Sequence, residues 1–215
     1  MKIKWLGHAS FLITSDTGVK IITDPYSVGA GIAYGKIQEA ADIVTISHQH
    51  GDHNNRGAVK GNPQVVEGTG SKSVGGVEFT GIASYHDEAK GGQRGPNTIF
   101  CFVVDGMRIC HLGDLGHPLT KEQIAQIGEV DILLVPVGGY FTIDARGATQ
   151  LCEQLNPRVV IPMHYRTAKC AYPIAGVEDF LKGRKEVRRV ESSEVELKKE
   201  QLPSTTETVV LKHAL

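Results

Sequence analysis

Ser47-His48-Gln49-His50-Gly51-Asp52-His53, a His-x-His-x-Asp-His element, is the stretch on which the reading of this chain turns. It follows Ile43-Val44-Thr45-Ile46, a short run whose β-branched residues predict a buried strand. Three imidazoles and one carboxylate therefore gather where a strand gives way to a loop. Imidazole and carboxylate are ordinary ligands of zinc and other divalent transition metals. In extended backbone His48 and His50 project to the same side. Gly51 permits a sharp turn, so Asp52 and His53 can face elsewhere. The split suits two ions better than one, His48 and His50 serving the first, Asp52 and His53 the second.

Each ion needs further ligands from elsewhere in the chain. His86 in Ser84-Tyr85-His86-Asp87, Asp114 in His111-Leu112-Gly113-Asp114 and His164 in Pro162-Met163-His164-Tyr165 all follow predicted strands. The residues alone do not choose among His86, His111, His117 and His164. His111 lies within a strand, where alternation sends it and its neighbour Cys110 to opposite faces.

Working outward, residues 2–6, 10–14 and 19–23 read as short strands, and 36–40 as a short helix before the strand 42–46. Further strands are expected at 64–67, 77–83, 98–104 and 107–112, the last two joined by the hairpin signal Asp105-Gly106. To that point the pattern predicts mostly antiparallel β. It then changes to helix 120–127 with a capping box, strand 131–135, and helix 145–155 with Asp144 as N-cap. Strand 158–161, helix 177–182, and strands 187–191 and 208–212 follow, with 198–207 an exposed connector. Strands gathered in both halves, with helices after them, predict facing sheets covered outside by helices, an α+β architecture in one domain over 1–215.

Composition sets the remaining bounds. The chain has 215 residues, 40% hydrophobic and 22% charged, with a net charge of −1. That balance argues against nucleic acid as the partner and leaves a small molecule as the expected substrate. The four cysteines, Cys101, Cys110, Cys152 and Cys170, form no C-x-x-C pair and read as reduced thiols. No signal segment or membrane-spanning apolar run is evident, so the expected location is the cytoplasm. The oligomeric state is left open.

The chain resembles the metallo-β-lactamase-fold hydrolases, and within them a branch of ascorbate-6-phosphate lactonase-like and N-acyl-phosphatidylethanolamine phospholipase-like proteins. The residues that carry the resemblance are Gly7-His8-Ala9, Asp24-Pro25, the Ser47–His53 element, His86, Leu112-Gly113-Asp114 and Pro162-Met163-His164. It implies a four-layer αββα sandwich with a two-metal site at the sheet edges. It further implies that His48, His50 and His86 hold one ion, that Asp52, His53 and His164 hold the other, and that Asp114 bridges them. Zinc is the favoured occupant, with nickel, manganese or iron able to substitute.

The expected chemistry is hydrolysis of an ester, lactone or phosphodiester by a hydroxide shared between two ions, with Asp52 also moving a proton. A bridging Asp114 argues against a β-lactam as native substrate. His8 and Asp24 are expected near the ligands, as hydrogen-bond partners or substrate contacts, and Tyr140 and Thr142 at the mouth. Lys90, Gln93 and Arg94 offer an anion contact or form a solvated charge run. The alternatives are a metal-binding or ligand-sensing protein without turnover on this fold, and a nucleic-acid-processing hydrolase.

Overall fold

Near-continuous apolar runs such as Ile43–Ile46, Ile132–Pro136 and Val159–Met163 are buried on both faces, and the computed structural model, which describes residues 1–215, sorts the strands into two sheets. The first sheet uses β1 (Lys2–Gly7), β2 (Ser10–Thr14), β3 (Lys20–Thr23), β4 (Ile43–Ile46) and β5 (Gln64–Glu67). The second uses β6 (Gly70–Val74), β7 (Val77–Tyr85), β8 (Pro96–Val104), β9 (Met107–His111), β10 (Ile132–Pro136) and β11 (Val159–Met163), then β12 (Val187–Arg189) and β14 (Glu207–Val210). The remaining late strand, β13 (Glu194–Glu196), crosses back to pair with β1. The strand orders are β13-β1-β2-β3-β4-β5 and β12-β14-β11-β10-β9-β8-β7-β6.

The sheets face each other across one apolar core. Ile3, Trp5, Phe11 and Ile43 from the first pack in the same cluster as Phe79, Phe100, Ile109 and Leu133 from the second. Outside the second sheet lie α1 (Lys121–Ile127), α2 (Ala145–Leu155) and α3 (Glu178–Leu181), which bury Ile127, Leu151 and Phe180. Thr120 and Gln123 form the expected capping box, and the Asp144 carboxylate accepts from Gly147 N at 2.8 Å as the N-cap of α2. The result is an α+β sandwich.

Outside the first sheet the covering layer is loop rather than helix. Leu6, Ile22 and Val44 pack there against Tyr26, Ile32, Tyr34 and Ile37. The short helix expected at 36–40 does not form. Ala40 makes a parallel bridge to Lys60, and Lys60 N donates to Glu39 O at 3.0 Å, so the backbone groups of this stretch go to a neighbouring strand-like segment. Five residues offer too few helical bonds to offset nucleation.

A second difference matters more for the site. Antiparallel pairs dominate up to β9, as expected, but β3, β4 and β5 run parallel, with Thr23 opposite Thr45. Long connections after β3 and β4 allow that arrangement, since parallel neighbours need a crossover. It places the end of β3, Asp24, beside the end of β4, Ser47. Asp24 N donates to Thr45 O at 2.9 Å, continuing the register into the loop. In the second sheet β9, β10 and β11 are likewise parallel, so the segments after β9 and β11 emerge at one rim.

Two strands lay outside the sequence reading. β6 is Gly-Ser-Lys-Ser-Val, poor in β-formers, and is held by the Gly75-Gly76 turn to β7, with both glycines at positive φ. β13 is a three-residue acidic edge strand.

Candidate metal centre

Strand ends deliver the side chains. His8 follows β1, Asp24 follows β3, the His48–His53 element follows β4, and His86 follows β7. Asp114 lies three residues beyond β9 and His164 directly beyond β11. His8, Asp24 and His164 adopt positive φ of 53°, 37° and 50°, a backbone state that non-glycine residues hold only where the surroundings over-determine it. Gly113, at φ 54°, allows the chain to turn under Ser47: a Cβ there would lie 2.4 Å from Asn97 Oδ1 and 2.6 Å from Ser47 Cβ.

The side chains form two groups. His48, His50 and His86 make one; His8, Asp52, His53 and His164 make the other, each with its potential ligand atoms within 4.8 Å of one another. Asp114 stands between them. Its Oδ2 lies 3.1 Å from His86 Nε2 and 3.9 Å from His48 Nε2 in the first group. The same oxygen lies 3.2 Å from His53 Nε2 and 3.3 Å from His164 Nε2 in the second. Ligands of one tetrahedral zinc, at about 2.0–2.1 Å from the ion, are separated by roughly 3.3 Å, so these spacings match coordination edges.

Hydrogen bonding supports the same conclusion. His53 Nε2, Asp114 Oδ1, His8 Nδ1 and His164 Nδ1 are fully buried and have no hydrogen-bond partner. His53 Nε2 is close to Asp114 Oδ2 yet poorly aimed for a hydrogen bond, as two lone pairs directed at a common cation would be. A buried carboxylate oxygen without a donor is costly unless a cation satisfies it. The residues therefore fit bound metal.

The opposite ring nitrogens are anchored. Asp24, fully buried, accepts His53 Nδ1–H at 3.0 Å through Oδ2, which also receives the Ser47 hydroxyl; Oδ1 takes Ser47 N at 2.8 Å. Although Asp24 also lies near His48 and His53, these bonds occupy its oxygens, so it orients rather than ligates. Ser47 Oγ in turn accepts His48 Nδ1–H at 2.9 Å. His86 Nδ1–H is held by Phe141 O at 2.9 Å. Each of these bonds fixes a ring proton at Nδ1 and turns Nε2 toward the centre, where that of His48 meets His50 Nδ1 at 3.1 Å, the usual outer-shell arrangement of metal-ligating histidine.

Protonation follows burial and charge. Burial, with the neighbouring His53, pushes His48 down to about 3, so its ring is neutral and able to ligate at ordinary pH. Burial lowers His8 to about 4, with His164 adding to the effect. For His53, burial opposes the charge, but Asp114 and the bond to Asp24 outweigh it and raise the pKa well above the usual imidazole value. Burial also opposes ionisation of Asp114, yet the imidazoles of His164 and His53 hold it well below the usual carboxylate range. This pocket attracts positive charge, as proton or as metal.

Comparison with known proteins agrees with this geometry. A family profile described as Beta-lactamase superfamily domain matches residues 2–164. A UPF0173 metal-dependent hydrolase of Archaeoglobus fulgidus is 30% identical over 214 residues, covering 85% of this chain and 90% of that one. The chain belongs to the UPF0173 metal-dependent hydrolases of the metallo-β-lactamase superfamily. Its relative from Carboxydothermus hydrogenoformans is 33% identical over 198 residues, spanning 78% of this chain and 85% of the relative. A crystal structure from Thermotoga maritima, described as a candidate Zn-dependent hydrolase of the same superfamily, superposes with a TM-score of 0.82 at 39% identity, covering 98% and 97% of the two chains.

Within this UPF0173 chain all seven expected ligand residues converge, and His8 lies closer than expected. His8 Nε2–H donates to Asp52 Oδ2 at 3.2 Å, and its ring centroid is 4.1 Å from that of His164. His111 is occupied elsewhere: Nε2–H donates to Ala9 O at 2.9 Å, and Nδ1 accepts Gly113 N–H at 3.2 Å. His117 sits half-buried in a bend, bonded to Tyr85 N and Pro118 O. Tyr140 is 66% exposed on a cleft of about 490 Å³ beside His86, and Thr142 is buried in its wall, its hydroxyl donating to Ile143 O.

Three contributors lay outside the sequence reading. Ser47 links Asp24 to His48, and only its place inside the motif hinted at this. Asn97 Oδ1 accepts Asp114 N–H at 3.0 Å while its amide donates to Ser84 Oγ and Leu112 O, fixing the loop that carries Asp114. Tyr172 donates its hydroxyl to Asp52 Oδ2 at 3.3 Å from a part of the chain with no motif.

Proposed function

We propose that this metal-dependent hydrolase works with two divalent cations and cleaves an ester, lactone or phosphodiester. In this reading His48, His50 and His86 hold the first ion, Asp52, His53 and His164 hold the second, and Asp114 bridges them. The observation that carries it is the approach of one Asp114 oxygen to four Nε2 atoms drawn from both groups. Cations held there supply Lewis acidity and lower the pKa of water from about 15.7 to roughly 7.

The chain's own residues then divide the work. Asp24 and Ser47 hold His53 and His48 in the ligating tautomer. Asp52, partly exposed, is bonded by His8 and Tyr172 at Oδ2. Burial would raise its pKa, but the His8 bond and the nearby His53 outweigh this and keep it ionised. It is therefore ready to accept a proton when substrate arrives and to return it to a leaving group. Ser47, the serine of the site, is buried with its hydroxyl donating to Asp24 and accepting from His48, so it serves as a link between them rather than as a nucleophile.

Zinc is the proposed occupant, supported by the donor set and by the Zn-dependent description of the Thermotoga maritima relative; nickel, manganese and iron suit the same ligands. The branch of ascorbate-6-phosphate lactonase-like and N-acyl-phosphatidylethanolamine phospholipase-like proteins remains the proposed affiliation, supported by the place of Asp114 between the two groups. We place the protein in the cytoplasm as a single domain over 1–215, supported by four free, buried cysteines and by a core that runs through both sheets. No helix is long and apolar enough to cross a membrane.

A panel of aryl esters, lactones and phosphodiesters, assayed with zinc-loaded protein, tests the reading. His48→Ala is expected to lower turnover of any substrate in the panel at least about a hundredfold, the scale of losing a group that acts in the transition state. Equal rates for the variant and the wild type would refute it.

A further inference from the structure

The loop between β7 and β8 carries a cation that the chemistry above leaves unused. Asp87 organises this loop by accepting N–H bonds from Gly91 at 2.9 Å, Gln93 at 3.0 Å and Arg94 at 2.7 Å. The backbone at Arg94 is thus fixed, three residues before Asn97, which positions Asp114. The Arg94 guanidinium carbon stands 5.2 Å from the centre of the Phe141 ring. Phe141 is the residue whose carbonyl orients His86.

Arg94 is partly buried, forms no ion pair and donates no side-chain hydrogen bond. The carboxylates around it are engaged with other groups. Asp87 is held by the three backbone donors, Glu67 accepts from Gln49 at 3.1 Å, and Asp144 caps α2. Glu88 lines the cleft beside His86 and makes no ion pair with Arg94. Five N–H donors are therefore free on a planar group that lies within cation–π range of an aromatic ring.

Its position is equally specific. The cleft of about 490 Å³ is walled by His86, and a second of about 480 Å³ is walled by His48 and His50. Arg94 is the one residue that lines both. Both clefts open on the side of the centre where His50 is exposed, whereas His53 and His164 are buried.

We infer that Arg94 is a specificity-determining residue that binds an anionic group of the substrate, a carboxylate or a phosphate monoester, beside the bond hydrolysed at the His48–His50–His86 face. The inference rests on the hydrolase reading above and adds the charge of the substrate to it. A guanidinium fork matches either anion with two parallel N–H bonds, and one carried on a backbone already fixed loses less freedom on binding.

Two measurements on the zinc-loaded protein test it. In the first, mono-4-nitrophenyl succinate and 4-nitrophenyl butyrate are compared as anionic and neutral esters. The anionic-to-neutral ratio of kcat/KM is expected to fall about tenfold or more in Arg94→Ala, mainly through KM, and to recover in part in Arg94→Lys. In the second, calorimetry follows binding of succinamate, succinamide and glycerol 3-phosphate. Affinity for one of the two anions is expected to fall about tenfold or more in Arg94→Ala, and which one falls separates carboxylate from phosphate. An unchanged ratio, or the same anion affinities in wild type and variant (including no binding by either), overturns the role of Arg94. If the wild type hydrolyses neither ester, that result counts against the ester-hydrolase reading, and calorimetry alone decides Arg94.

Discussion

Asp24 shows how much of the centre depends on a residue that would touch no ion. Its two oxygens receive Ser47 N, Ser47 Oγ and His53 Nδ1, so one carboxylate sets the ring of His53 directly and that of His48 through Ser47. Asp24→Asn keeps the shape but replaces an acceptor oxygen with an NH2 donor. The expected result is a metal affinity lower by about tenfold to a hundredfold, read by competition with a fluorescent chelator, with the fold intact by circular dichroism. At this scale the sequence was informative where ligands are packed together. His48, His50, Asp52 and His53 stand in one short run, and His86, Asp114 and His164 were placed by resemblance. Ser47, Asn97 and Tyr172 were not visible because serine, asparagine and tyrosine occur everywhere. Their importance comes from what the fold sets beside them. His8 illustrates the boundary: its neighbourhood was expected, whereas its bond to Asp52 is a tertiary fact.

Among the elements, the parallel pairing of β3 with β4 does most to build the centre. An antiparallel partner would have put Asp24 and Ser47 at opposite rims. Period-two alternation reveals strands but is the same in both directions, so the strand positions and the mostly antiparallel character are legible in the sequence, whereas the parallel pairing of β3, β4 and β5 is not. The short helix at 36–40 was misread for a related reason, since local composition carries no information about the bridge to Lys60. The turn after β9 gives a sharper test. Gly113 holds φ 54° with Asn97 and Ser47 pressed against the space a Cβ would fill. Gly113→Ala is expected to destabilise the protein by about 2–4 kcal/mol in urea unfolding, combining left-handed backbone strain with overpacking. Because the turn carries Asp114, metal content should fall with it.

At the scale of the whole molecule, one rim collects the ends of strands from both sheets, and that rim is rich in buried ionisable groups. Stability of the metal-free protein should therefore depend on pH with a definite sign. His8 and His48 have folded pKa values of about 4 and about 3, below the unfolded value of 6.5. Their contribution is complete above pH 6.5 and is lost as pH falls toward the folded values, at about 1.4 kcal/mol per pH unit for each fully titrating group. His53 and His86 are raised, so their contribution is complete below pH 6.5 and is lost as pH rises through their folded values. Between pH 6.5 and 4 the lowered histidines lose their contribution. Toward pH 4 the depressed carboxylates Asp24, Asp52 and Asp114 add a loss of the same sign, so thermal melting of the metal-free protein should drop steadily across that window. An invariant melting temperature there would contradict these assignments. Protons bound at His53 and His86 also compete with cations, so acid should release metal. The central claim is that one carboxylate joins two ion sites, and metal content measures it most directly. Protein loaded with zinc, dialysed and analysed for metal against quantitative amino-acid analysis should hold about two ions per chain, and Asp114→Ala should hold at most about one. A fully active wild-type protein with no more than one ion per chain, or an Asp114→Ala variant that still holds two, would contradict it.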